Sequence, residues 1–258
     1  MEPALIIALA LALLVGVSLG LLGGGGSILT VPILTYVLGM EPREAIAASL
    51  FIVGVTSAVS ALSHARARRV RWRIGATFGA AGMVGAFLGG ILGGFIPGAI
   101  LMVLFAAMMV ATAIAMIRGR KGRDRTDSAD TARLPIMRVL LDGFLVGLAT
   151  GLVGAGGGFL IVPALNLLGG LPMAVAIGTS LLVIVMKSGA GLAGYLFTTR
   201  LDWPVVLAFT ATAVAGSFVG VRLAGRIPER ALRKGFGFFV LAMGAFVLSQ
   251  ELPALLST

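Results

Sequence analysis

Apolar residues run along this chain in long blocks, not in the alternating or one-faced patterns of a soluble domain. The blocks cover residues 4–38, 45–63, 74–96, 98–117, 139–170, 173–199, 203–221 and roughly 235–248, and inside them only Asp142 and Lys187 carry a formal charge. An uncharged stretch of about 18 residues or more reads as a transmembrane helix. Six of the blocks suit single crossings. The first of each series does not: at 1.5 Å per residue, a block of about 32 residues makes a helix of about 48 Å, against a hydrocarbon core of about 30 Å. Both long blocks are interrupted by glycine, at Gly23-Gly24-Gly25-Gly26-Ser27 and Gly154-Ala155-Gly156-Gly157-Gly158. The pattern therefore predicts an all-α integral membrane protein with two glycine-broken segments, each re-entrant or double-spanning. The apolar run from residue 4 greatly exceeds a signal-peptide core of 7–15 residues and follows no basic region, so it is expected to be retained.

The two broken blocks head two copies of one sequence. At an offset of 131, Gly20-Leu21-Leu22-Gly23 falls on Gly151-Leu152-Val153-Gly154, and Val31-Pro32 falls on Val162-Pro163. Ser49-Leu50 falls on Ser180-Leu181, Trp72 on Trp203, and Ile96-Pro97 on Ile227-Pro228, all without a gap. Shared glycine content cannot align Trp, Pro and Ser at one offset, so the chain is a duplication of the kind transporters use. It divides into a first membrane repeat (1–117), a basic cytoplasmic linker (118–135) and a second membrane repeat (136–258).

Charge orients the copies. The net charge is +10, and 17 of the 20 Lys and Arg lie in residues 66–73, 118–138 and 222–234. Cations gathered in loops beside apolar helices mark the cytoplasmic side; a groove-lining basic face with interleaved aromatics, as nucleic acid would require, is missing. The basic loop 66–73 corresponds to 198–203, where Arg200 faces Asp202. The uncharged turn 96–98 corresponds to the basic stretch within 222–234. Equivalent loops are thus expected on opposite sides, making the repeats inverted, and both termini are expected outside. Composition agrees with a bilayer partner: 59% of residues are hydrophobic and 12% charged, against about 45–50% and about 25% in soluble domains.

Few residues can carry chemistry. Consecutive glycines destabilise a helix and free backbone N–H groups, and non-helical backbone at membrane depth is tolerated only in protein or around a wet cavity. A helix restarting there presents N–H groups to an anion, so Gly24, Gly25, Gly26, Ser27, Gly156, Gly157 and Gly158 are candidate substrate contacts; close helix packing is the competing reading. No Gly-Lys-Ser/Thr follows either run, which excludes a phosphate-binding loop. Lys187 lies mid-block, where an ionisable residue needs a partner, either a substrate anion or Asp142 or a backbone carbonyl. Ser49, Thr179 and Ser180, early in the second helix of each repeat, could donate to an oxyanion or bridge helices, as could Thr56, Ser57 and Ser188. Trp72 and Trp203 read as interfacial anchors, and His64 as an interface residue without metal-ligand companions. With no cysteine, no paired intramembrane carboxylate and no His-Glu motif, neither an enzyme nor a cofactor or metal site is expected.

The stretch from Gly20 to Pro32, its twin from Gly151 to Pro163, and the Ala48-Ser49-Leu50 and Thr179-Ser180-Leu181 helices resemble the TauE/SafE family of membrane transporters, over almost the whole chain. The resemblance implies a multi-pass protein of the bacterial inner (cell) membrane. It also implies a secondary transporter, in the export direction, of a small anion such as sulfite, a sulfonate or a related sulfur compound. A non-transporting assembly protein, whose repeats serve helix packing alone, is the alternative. Small-residue faces would permit a homodimer.

Overall fold

The computed structural model describes residues 3–22, 26–118, 136–154, 158–163, 165, 171–223 and 229–256. Among these, the regular elements are all helical. In the first half they are α1 (Pro3–Leu22), α2 (Ser27–Pro32) running into a single π-helical turn (Ile33–Val37), α3 (Pro42–Arg66), α4 (Trp72–Phe95) and α5 (Gly98–Arg118). In the second they are α6 (Ile136–Val153), α7 (Gly158–Pro163), α8 (Met173–Tyr195), α9 (Trp203–Leu223) and α10 (Glu229–Leu256). The linker at 119–135 lies outside the described residues. Among the described residues, four helices, α3, α4, α8 and α9, are long and apolar enough to cross a membrane. The last helix exceeds the expected 235–248 at both ends, because Arg230, Arg233 and Lys234 continue the helix beyond its apolar part.

The outer surface is apolar. Ile6, Leu14, Phe95, Leu145 and Phe197 are each more than half exposed, which water would penalise and lipid does not. Trp72 and Trp203 begin α4 and α9 and are both exposed.

Helix pairings exchange between the halves. The first helix of each half packs on the fourth helix of the other, α1 on α9 and α6 on α4. Likewise α8 lies on α4 as α3 does on α9, α2 packs on α3 as α7 does on α8, and α3 meets α8 as α5 meets α10. The contacts repeat at the sequence offset itself. A methyl group built on Gly16 would fall 1.9 Å from the Ala213 carbonyl oxygen, and one on Gly147 would fall 2.2 Å from that of Gly82. Gly20 meets Ser217 and Gly151 meets Ala86 in the same way, at 2.3 and 2.4 Å. These glycines let backbones touch, the device by which apolar helices associate without a hydrophobic driving force. At the centre α3 and α8 run antiparallel: Gly54 lies by Ser188, while Leu50 lies by Gly191.

The first broken segment folds back on itself. Gly26 packs against Val15, Ser18 and Leu19 of α1, and Leu5 and Leu38 line one cleft, so the chain returns to the end from which it set out. Gly39, at φ +70°, turns it into α3.

Candidate functional site

The glycine breaks are only partly in view. Gly24, Gly25, Gly156 and Gly157 lie outside the described residues, whereas Gly26, Ser27 and Gly158 are placed. Ser27 is fully buried, and Gly26 precedes α2. Gly16 lies against Ala213, the midpoint of α9, and Gly26 is within one turn of that level on α1. The two short helices that follow the breaks, α2 and α7, touch one another. The helices that restart after the breaks therefore meet in the interior, α2 against α3 and α7 against α8.

One hydroxyl early in α3 ties the end of α6 to the opposite half. The Ser49 hydroxyl is 2.8 Å from the Ile46 carbonyl oxygen and 2.5 Å from that of Gly154, across the two halves. Gly154 has φ +67° and its Cα faces Ile46, so neither a side chain nor a different backbone shape would fit there. Ser180 makes the matching bond to the Ile177 carbonyl at 2.8 Å. Thr179 acts differently. Its Oγ1 accepts the backbone N–H of Arg71 at 3.0 Å and so ties the start of α4 to α8.

Lys187 is 1% exposed, and its ammonium has no hydrogen-bond partner. Its stem lies against Gly82 of α4, where an added methyl group would sit 2.8 Å from Cδ, close to the Gly143 carbonyl of α6. Asp142 does not pair with it. An ammonium removed from water without a counter-charge costs several kcal/mol, so this position calls for a partner that the described residues do not provide.

Hydroxyls surround the same crossing. Thr56, Ser57 and Ser60 of α3 and Ser188 of α8 are at most 1% exposed, and none of their oxygens is hydrogen-bonded. Each such group costs about 1–3 kcal/mol if it stays unpaired. Other helical hydroxyls avoid this cost by bonding back to the preceding turn: Thr112 to Met108 at 2.8 Å, Thr150 to Val146 at 2.7 Å, Thr210 to Val206 at 2.6 Å and Ser217 to Val214 at 2.8 Å. His64 continues the α3 row. It is 2% exposed and packed against Gly178 of α8. The Gly20 backbone of α1 lies near its ring, yet neither ring nitrogen reaches hydrogen-bond geometry with any group. Thr30 of α2 is buried and unpaired as well. Ser60 is not apparent from sequence because one serine in an apolar helix is unremarkable; its signal is the spacing of 56, 57, 60 and 64, which puts all four on one helix face.

A separate cleft of about 400 Å³ opens at the end of the molecule that holds Leu5 and Leu38. Glu41, Glu44 and Asp202 line it, and a Glu44 carboxylate oxygen accepts the Asp202 backbone N–H at 3.1 Å. Its charge suits no anion. Among the described residues, no group of His, Asp and Glu could hold a metal ion.

The chain is similar over nearly its full length to proteins described as membrane transporters. A "probable membrane transporter protein" of Xylella fastidiosa strain Temecula1 is 35% identical over 247 residues, covering 95% of each chain. A protein of the same description from Methanocaldococcus jannaschii is 29% identical over 270 residues, covering 96% of this chain and 98% of its own. One from Bacillus subtilis is 28% identical over 239 residues, covering 84% and 88%. No solved structure matches at a significant level. The sequence pattern of the family described as "Sulfite exporter TauE/SafE" matches residues 8–247, and with that span and those relatives the chain belongs to the TauE/SafE family of membrane proteins.

Proposed function

We propose that this protein is a secondary transporter that exports a small anion, a sulfur oxyanion or organosulfonate, across the bacterial inner membrane. The anion binds near mid-membrane against the Lys187 ammonium, with Thr56, Ser57 and Ser188 donating hydrogen bonds and the restarts of α2 and α7 close by. The observation that carries this reading is Lys187 itself, a buried cation without a counter-charge. An intramembrane ion of this kind marks a substrate path, and among the described residues no carboxylate is buried to neutralise it. The exchanged helix pairings and the antiparallel α3 and α8 support inverted repeats, with residues 66–73 inside and 198–203 outside. Rocking one bundle against the other would then expose Lys187 alternately to each side. No ATP is needed: an inside-negative potential favours anion exit by about 2.3 kcal/mol per charge per 100 mV. A pure scaffold explains the glycine contacts but leaves Lys187 and the unpaired hydroxyls without a purpose.

The test is flux of sulfite, thiosulfate and small sulfonates in proteoliposomes holding the wild-type chain, Lys187→Met or Lys187→Arg. Losing a buried charge pair is worth about 3 kcal/mol, so Lys187→Met should lower apparent affinity about 100-fold and abolish ligand-induced thermal stabilisation. Methionine fills the space of the lysine stem, so its fold should survive. Undiminished flux through Lys187→Met would refute the site.

A further inference from the structure

The unpaired groups on α3 extend well past Lys187, toward only one end of the molecule. Resting on the transport reading above, we propose that Thr56, Ser57, Ser60 and His64 line the inner access path, along which an oxyanion passes between residues 66–73 and Lys187. The row ends two residues before Arg66, and the Arg69 backbone N–H bonds the His64 carbonyl at 3.0 Å, so the basic loop begins where the row stops. Every member is at most 2% exposed, and no side-chain polar atom of the four has a hydrogen-bond partner. All four can donate a hydrogen bond, a cation stands at either end of the row, and among the described residues no carboxylate is buried. That chemistry suits an anion and repels none.

The second repeat shows what the same segment looks like when it does not conduct in this structure. At the offset of 131, Thr56, Ser57, Ser60 and His64 correspond to Lys187, Ser188, Gly191 and Tyr195. Beyond Ser188 that stretch is closed. The Leu50 side chain approaches within 3.4 Å of a methyl group built on Gly191. Tyr195 is fully buried against Gly93, and its hydroxyl donates to the Leu152 carbonyl at 2.5 Å. Beyond Lys187 and Ser188 the two copies of one helix therefore differ: in the second the polar side chain, Tyr195, is satisfied by protein, whereas in the first Ser60 and His64 have no hydrogen-bond partner. Parting α3 from its neighbours at the inner end would hydrate the row, while the outer end stays sealed.

Because the chain has no cysteine, single cysteines report this directly. Ser57→Cys and Ser60→Cys are near-isosteric; Ile52→Cys, on the same helix at a fully buried apolar position, is the control. Each full-length variant is treated in membranes with a negatively charged, membrane-impermeant thiosulfonate, once in inverted vesicles that expose residues 66–73 and once in intact cells. Both serine positions should react at least tenfold faster than Ile52→Cys in inverted vesicles, and Ser60→Cys, which lies beyond the anion site, should react no faster than the control in cells. Labelling of both positions at the control rate in inverted vesicles, or labelling of Ser60→Cys faster than the control from the cell exterior, would overturn the path. The readout needs no flux, so labelled serines in a protein that moves no anion would sink the transport reading alone, and unlabelled serines in an active transporter would sink the path alone.

Discussion

Alanine at Gly147 tests whether the backbone contacts between the halves are structural necessities. A Cβ there would sit 2.2 Å from the Gly82 carbonyl oxygen and 2.8 Å from the Gly82 Cα, where ordinary contact begins at 3.4 Å. Both atoms belong to the α4 backbone and cannot swing aside, so α6 must retreat by about 1 Å along its contact, and the neighbouring atom pairs lose much of their dispersion energy. Overpacking of this sort costs about 1–3 kcal/mol, partly offset by the roughly 1 kcal/mol that alanine gains over glycine in a helix. Gly189→Ala is the matched control: it lies in α8, is exposed, and has nothing within 4 Å of the new methyl group, so only the helix-propensity gain remains. In detergent, with thermal unfolding followed by the fluorescence of Trp72 and Trp203, Gly147→Ala should lower Tm by several degrees, at about 2–4 °C per kcal/mol for a chain of this size. Gly189→Ala should raise it slightly. Gly16→Ala, at the equivalent contact on Ala213, should match Gly147→Ala. A Gly147→Ala protein as stable as Gly189→Ala would refute the close-approach argument and, with it, the packing of α6 on α4.

The hydroxyl bonds make further expectations. Ser49→Ala leaves the Gly154 carbonyl without its cross-half donor and should destabilise the protein by about 1–2 kcal/mol, read as a lower Tm in the same assay, while Ser57→Ala, which breaks no bond, should leave Tm unchanged or raise it. Tyr195→Phe strips the Leu152 carbonyl of its partner and should cost about 1 kcal/mol; a Tm equal to wild type would mean that this carbonyl finds water, and that the end of α8 is wetter than its packing indicates.

Much of this architecture was legible in the residue order. Approximate spans follow from uncharged blocks longer than a bilayer is thick, and α3, α4, α8 and α9 stand where four of those blocks lie. The duplication was equally plain, because aligned Trp, Pro and Ser at one offset survive where composition alone would blur. Lys187 declared itself by rarity: one charge in a long apolar block has no cheap explanation. Boundaries were less accessible. Nothing in the charge pattern shows that α10 continues through Arg230, Arg233 and Lys234, since a helix can run on outside the apolar layer.

What the tertiary structure alone decided is which polar groups are satisfied. Ser49 and Ser57 are the same residue type on one helix, both fully buried; one bonds a carbonyl of the opposite half and the other bonds nothing. His64 and Tyr195 occupy equivalent positions, and only the tyrosine finds an acceptor. Sequence determines which groups can donate, because that capacity belongs to the side chain. Whether a partner stands within about 3 Å depends on how distant segments are brought together, and for the α3 row that packing supplies none.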